Sequence, residues 1–178
     1  MNRYLLALSG LMLAVAVAVA AQAADAPKAV LQTVMLTKVN PQGLALWDIT
    51  NNAMNDAGEL DAKKMTAAKW ARLAEIGKAL EDGGQQLATS KGVIAAPPGA
   101  RLQDDNPTGP SKSITIQGYL NAKPDLFRQR AKALQDLGAK TVVTAGKKDL
   151  KALNQISDEL DGVCEACHKD FWYPDQKK

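Results

Sequence analysis

The chain has 178 residues, of which 46% are hydrophobic and 23% charged, and its formal net charge is +3. Its lysines and arginines are scattered rather than clustered, which argues against a nucleic-acid-binding protein. There is no internal repeat and no low-complexity tract, and the length suits a single domain with one hydrophobic core.

The N-terminus is typical of an export signal. Arg3 precedes an apolar run over residues 11–21, and Ala21-Gln22-Ala23 is a small-x-small cleavage site. The run is short and a polar chain follows it, which favours a cleaved secretory signal over an uncleaved N-terminal anchor. We therefore predict that residues 1–23 are a signal peptide, that 24–178 form one periplasmic domain, and that this domain has no integral membrane anchor.

Four stretches carry apolar residues at helical spacing, which predicts an all-α fold. The first stretch covers 27–53 and is interrupted at Pro41, because proline lacks a backbone donor and crowds the preceding turn. The second begins with Asp61 as its N-cap and reaches Gly83-Gly84, with a weak continuation beyond them. We therefore expect two helices here, the first of them kinked or divided at Pro41.

Two further helices are predicted in the second half of the chain. The third stretch starts near Pro124, and the fourth opens at Asp149 and is closed by Pro174. Between the second and third stretches lies a segment rich in proline and glycine, over about 91–118. We expect an ordered loop or lid there, with a brief extended stretch over 113–117.

Both cysteines and the only histidine lie within five residues, Cys164-Glu165-Ala166-Cys167-His168. C-x-x-C-H is the attachment signature of c-type haem. On a helix, the three side chains lie on neighbouring parts of one face, so two sulfurs can meet the porphyrin edge while the imidazole meets the iron. The motif therefore predicts one covalent haem c, bound through Cys164 and Cys167, with His168 as an axial ligand.

The C-x-x-C spacing has three other interpretations besides haem attachment. A thioredoxin-like dithiol is expected beside a βαβ pattern, and the sequence shows none. A tetrahedral zinc site needs a fourth ligand, which would have to be a carboxylate or come from a second copy of the chain. A disulfide between residues three apart in mid-helix is geometrically poor. Haem attachment is therefore the favoured interpretation.

A C-x-x-C-H motif at the end of the last of four helices, after a signal peptide, resembles the class II c-type cytochromes, the cytochrome c-prime family. The resemblance covers the mature chain in helix order. Its only specific motif is residues 164–168 with the aromatic pair Phe171 and Trp172. It implies an antiparallel four-helix bundle with haem attached at the C-terminal end of the last helix. It also implies a one-electron carrier that meets redox partner proteins, and it admits a homodimer.

The bundle topology points to Met35 as the sixth ligand of the iron. The start of the first helix and the end of the fourth lie at one end of such a bundle, and at ~1.5 Å per residue Met35 and His168 differ in height by about 6 Å. In the family, low-spin members supply a methionine from the first helix, whereas high-spin members leave the iron five-coordinate. We therefore predict His168/Met35 ligation. A five-coordinate protein that binds nitric oxide or carbon monoxide is the alternative.

Several other residues are predicted near the haem. Phe171 lies one turn beyond the motif, Leu31 lies one turn before Met35, and Lys169 is a candidate for the haem propionates, since the family commonly has a basic residue where this chain has Trp172. The other cationic candidates for the propionates are Arg101, Lys112, Arg128 and Arg130. The only histidine is assigned to iron, so no nucleophile and base pair remains and we predict that the protein is not an enzyme.

Overall fold

A computed structural model describes residues 28–102 and 112–173. The predicted signal peptide and Pro174 lie outside the described residues. The elements are β1 (Ala29–Val30), α1 (Leu31–Val34), a π-helical segment (Met35–Val39), α2 (Asn40–Asn51), a 3-10 turn (Ala62–Lys64), α3 (Ala67–Thr89), β2 (Val93–Ile94), α4 (Ser113–Ala122), α5 (Pro124–Lys147) and α6 (Leu150–Phe171). This mostly helical content confirms the all-α class. Within the described ranges, no helix has the length and hydropathy that a membrane crossing needs.

The first helix continues over residues 31–51, but its hydrogen bonding changes on the way. Over Met35–Val39 the helix is of the π type, and the Asn40 N–H donates to the Met35 carbonyl five residues back. Pro41 follows in the first turn of α2, where the missing N–H interrupts the helical ladder. The predicted division near Pro41 is therefore present as a change of helix type rather than as a gap.

α3 begins later than predicted, whereas its predicted continuation beyond the two glycines is confirmed. Asp61 caps only the short 3-10 turn, and Thr66 caps α3 by accepting the Lys69 N–H. At the other end, the helix continues through Gly83-Gly84 to Thr89. Two glycines inside a helix cost about 1 kcal/mol each relative to alanine, so contacts with another helix must offset that cost.

Close packing of α3 against α5 accounts for these glycines. A Cβ added at Gly84 would lie 2.4 Å from the Gln135 backbone nitrogen, and one added at Gly138 would lie 2.3 Å from the Glu81 backbone nitrogen. No real Cβ makes contacts this short, so the two backbones can approach only where both helices carry glycine. Glycine here is a packing residue and not a helix end.

Gly138→Ala should therefore lower the free energy of unfolding by roughly 1–3 kcal/mol, because the added methyl group forces two backbones apart. The matched control is Gly146→Ala in the same helix, where a Cβ would meet nothing within 4 Å. This control should leave stability unchanged or raise it by up to about 1 kcal/mol. Urea unfolding followed by circular dichroism measures both variants. Equal effects of the two substitutions would contradict the close packing.

The hydrophobic core lies among α2, α3, α5 and α6. α3 and α6 each pack on both α2 and α5, and the Trp47 indole N–H of α2 donates to the Ser157 carbonyl of α6 at 3.3 Å. The largest fully buried apolar side chains are Leu46, Leu73, Ile76, Leu80, Leu153, Ile156 and Leu160. α6 begins at Leu150 with Asp149 as its N-cap, as predicted. This core holds α6, and with it the cysteine-histidine motif, in place.

The segment predicted as a loop over 91–118 contains regular structure. β2 pairs in parallel with β1, and α4 occupies Ser113–Ala122. The extended stretch predicted over 113–117 is therefore wrong. Ile116 and Leu120 lie four residues apart and are only 2% and 5% exposed, so burial of one helical face decides the local structure of this segment.

Candidate functional site

The cysteine-histidine motif forms one wall of a cavity. Cys164, Cys167 and His168 all lie in α6, and all three line a space of about 660 Å³ that is not filled by protein atoms and is partly open to solvent. Their spacing of three and four residues places them side by side on one helical face. The cavity is therefore bounded by two thiols and one imidazole from a single turn of helix.

The other walls come from helices that are distant in sequence. Leu31 and Met35 contribute from the first helix, Leu87 from the end of α3, Ile116 from α4, and Phe127 and Leu134 from α5. Apart from the motif and Arg130, the lining is apolar or aromatic. A mainly apolar cavity with a few convergent polar groups is the usual form of a cofactor site.

Met35, the predicted sixth ligand, lines the same cavity as the motif. A second cavity of about 880 Å³, partly open to solvent, shares Met35, His168 and Trp172 with the first, so the two cavities adjoin. Met35 is also the first residue of the π-helical segment, and π-helical turns are frequent at functional sites. Neither Met54 nor Met65 lines these cavities. Of the methionines at described positions, Met35 is therefore the one that the fold brings to the motif.

Burial keeps both thiols protonated. Loss of solvation raises the pKa of Cys164 to about 11, with a further contribution from the charge of Asp161. It raises the pKa of Cys167 to about 12, with contributions from Cys164 and Asp170. A redox-active dithiol reacts as a thiolate, so these surroundings do not favour the dithiol alternative.

The imidazole of His168 is in the form that binds a metal. Burial lowers its pKa, against the opposing charge of Glu165, so the ring is neutral near pH 7. The centroid of the ring lies 5.6 Å from that of Trp172 and 6.0 Å from that of Tyr173. A neutral imidazole supported by aromatic neighbours is a suitable axial ligand for haem iron.

Two of the three predicted haem contacts lie at the cavity. Phe171 is buried, with its ring edge-on to Phe127 at a centroid distance of 5.6 Å, and it lines the cavity together with Leu31. Lys169 is exposed and pairs with Glu165 at 3.1 Å. It is not among the lining residues, because its side chain lies on the exposed side of α6 beside Glu165. Lys169 therefore lies outside the cavity wall, and its contact with the haem propionates stays a prediction.

Arg130 is the one of the four other cationic candidates that lines the first cavity. Its Nε donates to the Asp170 Oδ2 at 2.6 Å, which connects α5 to α6, and the two side chains are only 33% and 24% exposed. Arg128 pairs instead with Asp125 on the surface. A guanidinium has five N–H donors, so Arg130 can bind a further anionic group while it keeps its bond to Asp170.

Several apolar wall residues, among them Leu87 and Ile116, were not predicted to lie near the motif. Leu87 lies beyond the two glycines at which the second helix was expected to weaken, and Ile116 lies in the predicted loop. For Ile116 a signal was present, since Leu120 follows it at helical spacing. The position of Leu87 at the cavity could have been predicted only with knowledge of the contact between α3 and α5.

Around one apolar cavity the fold thus places two neutral thiols, a neutral imidazole and a thioether. Imidazole and thioether ligands suit a transition metal, and the apolar walls suit a large apolar cofactor. The residues present therefore fit a haem that is attached to α6 and faces the first helix. No protein-family model, curated protein or solved structure matches the chain.

Proposed function

We propose that the protein is a periplasmic c-type cytochrome that carries one electron at a time on a single covalent haem. The observation that carries the proposal is that Cys164, Cys167 and His168 share one apolar cavity with Met35. The motif alone accounts for attachment, whereas the methionine accounts for a second axial ligand. The periplasmic location is supported by the signal-like residues 1–23.

Each residue has a separate role in this proposal. The sulfurs of Cys164 and Cys167 would hold the haem through two thioether bonds, and His168 and Met35 would bind its iron. Haem, when bound, supplies a one-electron iron couple whose potential depends on axial ligands, burial and hydrogen bonding. The apolar walls would limit the access of water to the iron. Arg130 would bind an acidic group at the haem edge while Asp170 holds its guanidinium in place.

The proposal includes an antiparallel four-helix bundle of the cytochrome c-prime type. Its support is that α3 and α6 each pack on both α2 and α5, so that the long helices enclose one core. A short connection joins α5 to α6, as expected for neighbouring antiparallel helices. α4 and residues 93–102 are additions to a plain bundle, and Ile116, Ala95 and Leu102 from these additions line the second cavity.

The second candidate is a five-coordinate protein that binds nitric oxide or carbon monoxide. In this case Met35 packs over the haem without binding the iron. The observation that favours it is the second cavity, in which a volume of about 260 Å³ beside Met35 offers space for a diatomic ligand. The two candidates share the covalent haem and differ only in what occupies its second axial position.

Expression with haem maturation machinery tests the proposal. An alkaline pyridine spectrum of the purified protein should show one covalent haem c per chain, and redox titration should show a one-electron couple. A low-spin ferric spectrum with the red band of an iron-methionine bond would support the carrier. A high-spin spectrum that shifts readily with nitric oxide would support the gas-binding protein instead. Absence of covalent haem would overturn both.

A further inference from the structure

Part of the connection between α3 and α4 is fastened to the first helix. β2 pairs in parallel with β1, and the Gln32 backbone N–H donates to the Ala95 carbonyl at 3.0 Å. The Gln32 side-chain amide donates to the Arg101 carbonyl at 2.8 Å. Residues 93–102 are therefore tied to the start of the first helix near both of their ends.

Gln117 of α4 fastens the same residues from the other side. Its Oε1 accepts the Ala95 N–H at 2.8 Å, and its Nε2 donates to the Val93 carbonyl at 3.1 Å. The Nε2 also donates to the Asn121 Oδ1 at 2.9 Å, which orients the amide. One side chain thus satisfies a backbone donor and a backbone acceptor of the strand region, and it couples α4 to β2.

Residues 93–102 together with α4 form what we call the cover. Ala95 and Leu102 of the first part and Ile116 of the second are 3%, 6% and 2% exposed. All three line the second cavity, as does Met35. The wall of the cavity next to Met35 is therefore built from residues whose position depends on the hydrogen bonds of the cover.

We infer that Gln117 is a positioning residue that holds the cover closed beside Met35, and that it thereby controls which small ligands reach the haem from that side. The inference rests on the proposed function. A closed cover keeps Ala95, Leu102 and Ile116 in the wall beside Met35, which limits the ligands from solvent that can compete with the thioether. An open cover exposes the same position to added ligands, so the closed state favours electron transfer over ligand binding.

The test uses the ferric holoprotein with imidazole as the added ligand. Gln117→Met keeps a similar side-chain length but removes both hydrogen bonds to the cover. Because each such bond contributes about a factor of five to ten, imidazole should bind at least about tenfold faster than in the wild type. The matched control is Gln155→Met, the same change at an exposed position of α6, which should leave the binding rate unchanged.

Hydrogen exchange separates opening of the cover from general destabilisation. The Ala95 amide donates to Gln117, so its exchange should accelerate in Gln117→Met while the core amides of α3 and α6 keep their wild-type rates. If Gln117→Met does not fold, Gln32→Met takes its place, since it removes the bond to the Arg101 carbonyl at the other end of the cover.

The outcomes are distinguishable. Covalent haem with unchanged imidazole binding in the folded variant would overturn the role of Gln117 and leave the proposed function standing. Equal acceleration in Gln155→Met, or faster exchange throughout the core, would also overturn that role. Absence of covalent haem in the wild type would overturn the proposed function and, with it, the inference.

Discussion

The combined substitution Cys164→Ser and Cys167→Ser should abolish covalent haem. Both sulfurs line the cavity, and serine is of similar size but offers a hydroxyl oxygen, which does not replace the thioether sulfur. We expect a complete loss of covalent haem relative to the wild type. Haem staining after denaturing electrophoresis and an alkaline pyridine spectrum of the purified protein measure it.

Ala166→Ser is the matched control for this prediction. It introduces the same residue between the two cysteines, at a position that does not line the first cavity, so covalent haem should be retained. Wild-type amounts of covalent haem in the double variant would contradict the assignment of both sulfurs. If the wild type contained no haem and instead bound zinc or held a reversible dithiol, the zinc-site or dithiol interpretation of the C-x-x-C spacing would replace the haem assignment.

Met35→Leu should convert the haem iron from low spin to high spin. Leucine fills nearly the same volume, so the fold should lose less than about 1.5 kcal/mol of stability, but it has no sulfur to bind iron. We expect loss of the red iron-methionine band and faster binding of nitric oxide. The potential should fall by on the order of a tenth of a volt, within the range of about 0.8 V that axial ligands span.

Met65→Leu provides the control, because Met65 is buried and does not line either cavity at the motif. Its spectrum and potential should equal those of the wild type. A high-spin wild type whose spectrum does not change in Met35→Leu would rule out methionine ligation. That result would favour the five-coordinate protein while the covalent haem remained.

Local features of the chain were predictable where the interactions themselves are local. Asp149 begins α6 because its side chain accepts the Ala152 N–H three residues on, and such a cap is visible in the sequence. The helix α5 was also predictable, because the helical spacing of its apolar residues is a local pattern of the sequence. The prediction was wrong for 113–117, because burial of Ile116 against the rest of the fold outweighs the preference of a short β-branched run.

The role of Gly84 and Gly138, by contrast, depends on a tertiary contact and was not predictable from the local sequence. Gly84 and Gly138 lower helix propensity, so a single sequence indicates a helix end or a weak helix at each. In the structure, each lies against the backbone of the other helix, and removal of the side chain is what allows the contact. The packing role of each glycine depends on a contact with a residue of the other helix more than fifty positions away in sequence. A local sequence pattern therefore cannot predict it.

The cluster of Cys164, Cys167 and His168 follows from their spacing in the chain, because residues three and four apart meet on any helix. The sequence also indicated Met35, through the expected order of helices. Only the tertiary structure decided that Met35 lines the same cavity, and that Gln117 fastens a cover next to it. The walls of this cavity come from segments far apart in the chain, and the distances between such segments are determined by packing of the core and not by sequence spacing.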